Sequence, residues 1–111
     1  MKILILEDSL ERVKKFREKF IGHEVVVTEF SKECIKLLSE NTYDAIFLDH
    51  DLGGAIMVSS GENTGYEVAE WLSKNPVYQP RTIIIHSFNP SGAKNMKAVL
   101  SNAIINPGAW L

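Results

Sequence analysis

Four acidic residues and two histidines directly follow three apolar runs of this sequence. They are Glu7 and Asp8 after ILIL (3–6), Asp49, His50 and Asp51 after AIFL (45–48), and His86 after TIII (82–85). A buried strand needs none of these groups, because taking a charge out of water without a partner is costly. Carboxylates and imidazoles hold divalent cations and move protons, so these positions are the first candidates for a functional site.

The acidic set predicts a metal site. Carboxylates that converge within a few ångströms repel one another, and each resists ionisation unless a cation joins them. The expected ligands are Glu7, Asp8, Asp49 and Asp51. Ligation by oxygen alone favours Mg²⁺, Mn²⁺ or Ca²⁺, whereas an added histidine shifts the preference towards Mn²⁺ or another transition metal. We expect Mg²⁺ or Mn²⁺, with coordination positions left open for phosphate oxygens.

The histidines suit acid–base chemistry on a phosphate near neutral pH. One imidazole, of His50 or His86, can take a proton from an attacking water or hydroxyl while the other protonates the leaving oxygen. Ser87 and Asn89, in the segment HSFNP, can donate hydrogen bonds to phosphate oxygens. Asn89 also precedes Pro90, which fits a plain turn equally well.

Other residues of this set also have structural interpretations. An acid at a strand end often caps a helix or forms a turn, and Asp8 before Ser9 suits that role. His50 can equally be a loop histidine bonded to the backbone. Lys94 either reaches an anion from the following helix or lies on the surface in solvent. Four acids at one rim, two of them flanking a histidine, favour a metal or phosphate site over these separate explanations.

The elements that must position these residues alternate along the chain. Apolar runs occupy residues 3–6, 25–27, 45–48, 82–85 and 103–105, and helical spacing occupies 9–20, 31–40, 64–75 and 91–103. The runs are continuous rather than alternating, which is typical of strands covered on both faces of a parallel sheet. We therefore predict an α/β fold with a doubly wound five-stranded parallel sheet in a single domain, 1–111. The carboxyl ends of its strands share one rim, where ligands bind.

Two further segments allow two interpretations each. Residues 53–65, GGAIMVSSGENTG, are longer than a typical loop of this kind. They form either a floppy insertion or a lid over the rim that uses its apolar residues. Trp110 either caps the core or forms a dimer contact, so the sequence leaves the oligomeric state open.

Composition excludes several classes of function. The chain has 111 residues, of which 45% are hydrophobic and 23% charged, with a formal net charge of -2 and no basic stripe. Duplex-DNA binding is therefore not expected. No apolar segment approaches the roughly 20 residues that span a bilayer, and the start does not have the pattern of a signal peptide. We expect no membrane partner and a cytoplasmic location.

Over nearly its whole length the chain resembles a response-regulator receiver domain. The matching features are the acid pair Glu7-Asp8, Asp49 at the end of the third strand, and the glycine-led third helix at Gly65. The resemblance implies the receiver (flavodoxin-like) fold. It also implies that Asp8 and Asp49 bind Mg²⁺, that Glu7 is an outer or direct ligand, and that Asp49 is the phosphoacceptor.

The chain departs from the receiver pattern in three places. His86 stands where receivers carry a switch hydroxyl, and Asn106 stands where they carry the lysine that pairs with the phosphoryl group. We expect Asn106 to contact a substrate phosphate instead. The sequence given ends at Leu111, just after the fifth strand, so the final receiver helix is expected to be lacking.

LDHDLGG together with HSFNP is similar to a divergent receiver-like group proposed to process cyclic phosphates. This resemblance implies a metal on Asp8, Asp49 and Asp51, with His50 and His86 as acid and base. Our first hypothesis is therefore metal-dependent hydrolysis or transfer of a cyclic phosphate on a nucleotide or an RNA end. The alternatives are a stand-alone phosphoacceptor signalling module and a non-catalytic anion-binding protein.

Overall fold

The computed structural model describes all residues 1–111 as five parallel strands and four helices. The strands are β1 (Lys2–Leu6), β2 (Glu24–Thr28), β3 (Ala45–Leu48), β4 (Thr82–Ile85) and β5 (Ile104–Ile105). The helices are α1 (Leu10–Lys19), α2 (Ser31–Glu40), α3 (Gly65–Lys74) and α4 (Pro90–Val99), with a short 3₁₀ turn at Pro76–Tyr78. The predicted fold class is confirmed. No helix has the length and apolar character needed to cross a membrane.

The strand order places the predicted site residues at the centre of the sheet. The order is β2-β1-β3-β4-β5, and every pair is parallel. The order reverses between β1 and β3, and in open α/β sheets the crevice at the carboxyl ends of such strands is where ligands bind. Glu7 and Asp49 directly follow these two strands, so their side chains start at that crevice.

The two faces of the sheet are covered unequally. The larger core contains Leu4 and Leu6 of β1, with buried side chains from α2, α3 and α4. The smaller core contains Ile3 and Ile5 of β1 together with Phe16, the one buried residue of α1. Alternate residues of a strand point to opposite faces, so β1 contributes to both cores. The continuous apolar run of β1 follows from this double coverage.

Helix boundaries follow local capping. Ser9 is the N-cap of α1, and its Oγ accepts a hydrogen bond from Arg12 N at 3.3 Å. Asn89 is the N-cap of α4, and its Oδ1 accepts from Gly92 N at 3.0 Å. Pro90 takes the first helical position, where its missing N–H costs nothing. The segment predicted as helix at 91–103 therefore starts one residue earlier, and α4 ends at Val99.

Residues 106–111 form turns that pack on the α1 side of the sheet. Lys19 Nζ donates to the carbonyl oxygens of Ala109 at 2.8 Å and Leu111 at 3.3 Å. Ala109 is buried in the smaller core, and Trp110 packs against that core. The structure thus shows Trp110 in the first of its two predicted roles, as a cover for the core. No helix follows β5 within the described residues.

Candidate functional site

Three adjacent strands bring a carboxylate pair and a histidine together. Glu7 follows β1, Asp49 follows β3 and His86 follows β4, and one ligand atom of each lies within 4.8 Å of the others. All three residues are buried. Their backbone N–H groups bond to Thr28, Leu6 and Leu48 respectively, so each continues its strand's ladder by one residue. Sheet pairing therefore fixes the backbone positions from which these side chains extend.

Glu7 is held by hydrogen bonds on both carboxylate oxygens. Its Oε2 accepts from the backbone N–H groups of Asp8 and Ser9, each at 3.0 Å. Its Oε1 lies 3.0 Å from His86 Nε2 and 3.7 Å from Arg12 Nη1. Burial would raise the pKa of Glu7, but the hydrogen bonds from His86 and Ser9 and the nearby positive charge of Arg12 lower it to about 2. Glu7 is therefore ionised at neutral pH.

His86 is the neutral partner of this carboxylate. It is fully buried, and burial lowers its pKa despite the opposing effect of Glu7. The neutral tautomer that donates from Nε2 satisfies Glu7 and leaves Nδ1 without a hydrogen-bond partner. The ring packs edge-on against Phe16 of α1, with centroids 5.1 Å apart. His86 thus holds Glu7 in position and does not itself line the open cleft.

Asp49 is the least satisfied carboxyl of the cluster. Its Oδ1 accepts from the N–H of His50 at 2.8 Å, and its Oδ2 has no donor in the protein. Burial, followed by the negative charge of Glu7, raises the pKa of Asp49 to about 8. A carboxyl that resists ionisation beside a second, ionised carboxylate is the arrangement that a bound cation would stabilise.

The cluster opens into a cleft of about 360 Å³, here called the acidic cleft. Its polar lining includes Asp8, Ser9, Arg12, Asp49 and Asp51, and its apolar lining includes Ile56, Met57 and Phe88. Asp8 Oδ2 accepts from Gly54 N at 2.7 Å, which leaves its other oxygen free of protein donors. Asp8 and Asp49 line the same cleft, and their oxygens are hard donors of the kind that Mg²⁺ prefers. The ligand atoms that converge within 4.8 Å, however, are those of Glu7, Asp49 and His86 and do not include Asp8.

The sequence of the chain matches one receiver family. The model of the family described as "Cyclic-phosphate processing Receiver domain" matches residues 2–102. The chain belongs to this family. No curated protein sequence matches the chain significantly.

Solved receiver structures share its fold. The phosphorylated cyanobacterial phytochrome response regulator RcpA has a TM-score of 0.76 at 21% identity, covering 97% of this chain and 81% of that chain. TrrA from Thermotoga maritima, solved in complex with Mg(2+)-BeF, has a TM-score of 0.70 at 21% identity, covering 96% and 87%. The response regulatory domain of mrkE from Klebsiella pneumoniae has a TM-score of 0.69 at 21% identity, covering 96% of this chain and 82% of that chain. At this identity the likeness establishes the receiver fold.

His50 of this receiver domain is buried and engaged through its ring nitrogens. Its Nδ1 lies 2.8 Å from Asp51 Oδ1, and its Nε2 lies 2.9 Å from Ser60 Oγ. Asn89 Nδ2 donates to the same Asp51 oxygen at 3.0 Å, and Met57 N donates to the other at 2.7 Å. Burial opposes ionisation of Asp51, but these bonds, led by that of His50, lower its pKa. Asp51 lines the cleft with both oxygens already bonded.

The other predicted phosphate contacts lie outside the open part of the cleft. Ser87 is buried and its Oγ accepts from Asn89 N at 3.0 Å, while Asn89 also caps α4. Asn106 is exposed and lines a different cleft, beside Lys19 and Ile84. Lys94 is exposed without a hydrogen-bond partner, and His23 is exposed next to the N-terminal amine.

Two glycines of the receiver domain allow the site to form. A methyl group on Gly65, the first residue of α3, would overlap the carbonyl oxygen of Asp49. A methyl group on Gly92 of α4 would overlap the ring of His50. Both helices therefore approach the end of β3 closely because these residues have no side chain. The sequence showed that Gly65 begins a helix but contained no sign of what it touches.

The segment 53–65 forms one wall of the cleft and is tied down at several points. Besides the bonds to Asp8 and Asp51, its Val58 carbonyl oxygen accepts from Asn89 Nδ2 at 2.9 Å, and Ser60 Oγ accepts from Asn95 at 2.9 Å. These bonds attach the segment to the rim, and the choice between a lid and a floppy insertion stays a prediction. Ile56 and Met57 line the cleft and remain exposed, as the wall of a ligand site would.

Sequence reasoning did not identify Arg12, Ser60 or Phe88 as site residues. In the sequence, Arg12 is recognisable only as a residue of the first helical turn after the acid pair. That turn begins at the carboxyl end of the first strand. Ser60 is ten positions from His50 in an irregular segment, so no periodicity connects them. Phe88 stands between two residues of the HSFNP motif and lines the cleft as an exposed aromatic ring.

Proposed function

We propose that this receiver domain carries out metal-dependent processing, by hydrolysis or transfer, of a cyclic phosphate on a nucleotide or an RNA end. The observation that carries the proposal is the convergence of Glu7, Asp49 and His86 within 4.8 Å beside a cleft that also exposes Arg12. Membership of the cyclic-phosphate processing family supports the same function.

The replacements of receiver switch residues also support an enzyme. His86, in the position of the switch hydroxyl, is buried with its Nε2 bonded to Glu7, and it has no hydroxyl to offer a phosphoryl group. Asn106, in the position of the lysine, lines a different cleft from Asp49. Neither residue therefore serves the usual conformational response to phosphorylation.

The residues of the cleft have separate roles in the proposal. Asp8 and Asp49 hold Mg²⁺ or Mn²⁺, with Glu7 close by, and the cation when bound neutralises the carboxylates and polarises phosphate oxygens. Arg12 donates hydrogen bonds to the phosphate. Neither imidazole lines the cleft, so we assign acid–base roles to His86 through Glu7 and to His50 through Asp51. Asp51 lines the cleft directly, whereas Glu7 is buried and lies beside Asp49, which lines it. In each pair the imidazole sets the protonation of the carboxylate.

The test uses an oligonucleotide ending in a 2′,3′-cyclic phosphate. Wild-type protein with Mg²⁺ or Mn²⁺ is expected to open the ring. Chelator, Asp49→Asn and His86→Ala are each expected to reduce the rate at least roughly a hundredfold, as loss of an electrostatic or acid–base group does. His23→Ala, which removes an exposed histidine distant from the cleft, is the matched control and should retain the rate.

Circular dichroism of each variant shows whether the fold survives, and Glu7→Gln replaces His86→Ala if that variant unfolds. An unchanged rate in Asp49→Asn would contradict the proposal. The absence of ring opening with either metal would argue against cyclic-phosphate chemistry and favour the anion-binding alternative.

A second candidate function is a phosphoacceptor module. It is favoured by Asp49, which directly follows β3, lines the cleft and has no protein donor on its Oδ2. A small-molecule phosphodonor with Mg²⁺ should then add the mass of one phosphoryl group. The gain should be absent in Asp49→Asn and present in Asp51→Asn, whose wild-type oxygens are already bonded. Equal labelling of both variants would exclude Asp49 as the acceptor.

A further inference from the structure

The acidic cleft has an apolar wall that phosphate chemistry alone does not require. Ile56, Met57 and Phe88 line it together with Asp8 and Arg12. These three apolar side chains are 82%, 65% and 52% exposed. Large apolar side chains that are exposed together in one cleft mark a ligand contact, since scattered surface residues need no common location.

Phe88 packs against Trp110 and Arg12 within this wall. Its ring meets Trp110 edge-to-face, with centroids 6.3 Å apart and planes at 74°. The guanidinium carbon of Arg12 lies 5.5 Å from the centroid of Phe88, within the range of a cation–π contact. About half of the Phe88 side chain stays open after these contacts, so the exposed ring surface is already in place before a ligand arrives.

Arg12 joins the apolar wall to the carboxylate cluster. Its Nη1 is 3.7 Å from Glu7 Oε1 while its guanidinium lies beside Phe88. Arg12 is thus the residue that contacts both the carboxylate cluster and the apolar wall. A ligand whose phosphate bonds to Arg12 would have Phe88, Ile56 and Met57 beside it in the same cleft.

We infer that Phe88 is the platform for a nucleobase, so that the ligand is a nucleoside cyclic phosphate and not a cyclic phosphate without an aromatic group. The inference rests on the proposed function, because it assumes that the phosphate lies at Arg12 and Asp49. Aromatic side chains stack on the flat face of any base, and Ile56 and Met57 offer no side-chain hydrogen-bond donor. The site is therefore expected to require a base but not to distinguish one base from another.

The test compares two ligands that share a five-membered cyclic phosphate. Adenosine 2′,3′-cyclic phosphate carries a base, and ethylene cyclic phosphate does not. Each ligand is titrated into the protein in the presence of Mg²⁺ to measure its affinity. The recovered ligand is then checked for ring opening. The nucleotide should bind roughly tenfold more tightly, in line with one stacked base.

Variants identify the residue responsible. Phe88→Ala should remove the advantage of the nucleotide, so that the two ligands bind with similar affinity. The ratio of the two affinities is the readout, because loss of the contact between Phe88 and Arg12 would weaken the phosphate contact of both ligands alike. Phe88→Trp should keep the advantage. Phe30→Ala, which removes an exposed phenylalanine outside the acidic cleft, should change neither affinity.

Each outcome decides the inference. Equal affinities in the wild type, or a nucleotide advantage that survives Phe88→Ala, would overturn it. Binding with the predicted Phe88 dependence but without ring opening would retain the inference and remove the proposed catalysis, whereas no binding of either ligand would overturn both. An oligonucleotide with the same terminus separates the sources: equal affinity supports an RNA end, and weaker affinity supports a free nucleotide.

Discussion

Asp49 and Glu7 show how two carboxyl groups in contact acquire opposite properties. Glu7 has hydrogen bonds on both oxygens and a pKa lowered to about 2, whereas Asp49 has one free oxygen and a pKa raised to about 8. Burial affects both, and the difference comes from the donors around Glu7. An uneven pair of this kind is a common property of sites that bind cations or transfer protons.

The raised pKa of Asp49 predicts a pH-dependent stability for the metal-free protein. Between the ordinary value of 3.8 and about 8, the folded protein keeps a proton that the unfolded chain has released. Raising the pH through this window therefore lowers the free energy of unfolding. This loss of stability is complete above a pH of about 8. Asp49→Asn removes the ionisable group and should raise the free energy of unfolding at pH 8 by about 1–3 kcal/mol, or roughly 4 °C in Tm per kcal/mol.

Thermal unfolding followed at pH 5 and pH 8 measures this effect. The variant should gain much less at pH 5, because pH 5 lies close to the ordinary value of 3.8 and only a small part of the stability has been lost there. Mg²⁺ should raise the Tm of the wild type at pH 8 and leave that of Asp49→Asn almost unchanged. A stabilisation that is equal at both pH values would show that Asp49 is not held as a neutral carboxyl.

Gly92 provides a second prediction at the scale of a residue. Replacement of a helical glycine by alanine usually stabilises a helix by about 1 kcal/mol. At Gly92 the new methyl group would overlap the buried ring of His50, which Asp51 and Ser60 hold in place. Overpacking costs about 1–3 kcal/mol, so we expect Gly92→Ala to lower the free energy of unfolding by about 1–2 kcal/mol.

Urea denaturation of Gly92→Ala and Gly61→Ala checks this expectation. Gly61 lies in the 53–65 segment, and a methyl group at this position would meet no atom within 4 Å, so its substitution should be nearly neutral. A stabilised Gly92→Ala would mean that the His50 ring moves freely enough to make room. It would then be unsuited to set the protonation of Asp51.

At the scale of the element, the sequence predicted the fold better than it predicted the site. The apolar runs at β1, β3 and β4 are continuous because both faces are covered, and that pattern is legible without a structure. The rim of Glu7, Asp49 and His86 followed from the parallel order. The pattern contained no information on which nitrogen of His86 contacts Glu7, because that depends on side-chain packing against Phe16.

Irregular segments were the least predictable elements. The segment 53–65 has no period, and its order comes from side chains elsewhere, principally Asp8, Asp51 and Asn89. Strand β5 was predicted one residue too long, because Ala103 packs in the larger core like a strand residue without pairing. Both cases depend on contacts distant in sequence.

The anchoring of the 53–65 segment predicts a local effect of Asp51. Asp51→Ala removes the acceptors for His50, Asn89 and Met57 N–H. Hydrogen exchange of backbone amides in residues 52–63 should accelerate roughly tenfold or more, since about 1–2 kcal/mol of local stability is lost, while exchange in β1 and β3 stays slow. Mass spectrometry of peptides from the exchanged protein measures both regions.

The matched control is Glu62→Ala, which removes an exposed acid of the same segment. Similar acceleration in both variants would indicate a general loss of negative charge rather than a loss of anchoring. No acceleration in Asp51→Ala would show that the wall of the cleft is ordered by its own turns.

At the scale of the whole molecule, the candidate site rests on helices from both faces of the sheet. The larger core holds the sheet to α2, α3 and α4 and contains most of the buried apolar residues. The opposite face has one helix, α1, with the last residues of the chain beside it. His86 connects the site to α1, because it bonds to Glu7 and packs against Phe16 of that helix.

The contact between Phe88 and Trp110 has an optical consequence. Trp110 meets the ring that lines the acidic cleft, whereas Trp71 stacks on Tyr78 at the end of α3, with centroids 5.3 Å apart. A ligand that covers Phe88 changes the surroundings of one indole and leaves the other as an internal reference. The intrinsic emission of a Trp71→Phe variant should therefore shift on ligand addition, and that of Trp110→Phe should stay constant. The protein carries its own fluorescent reporter of occupancy, with no label attached.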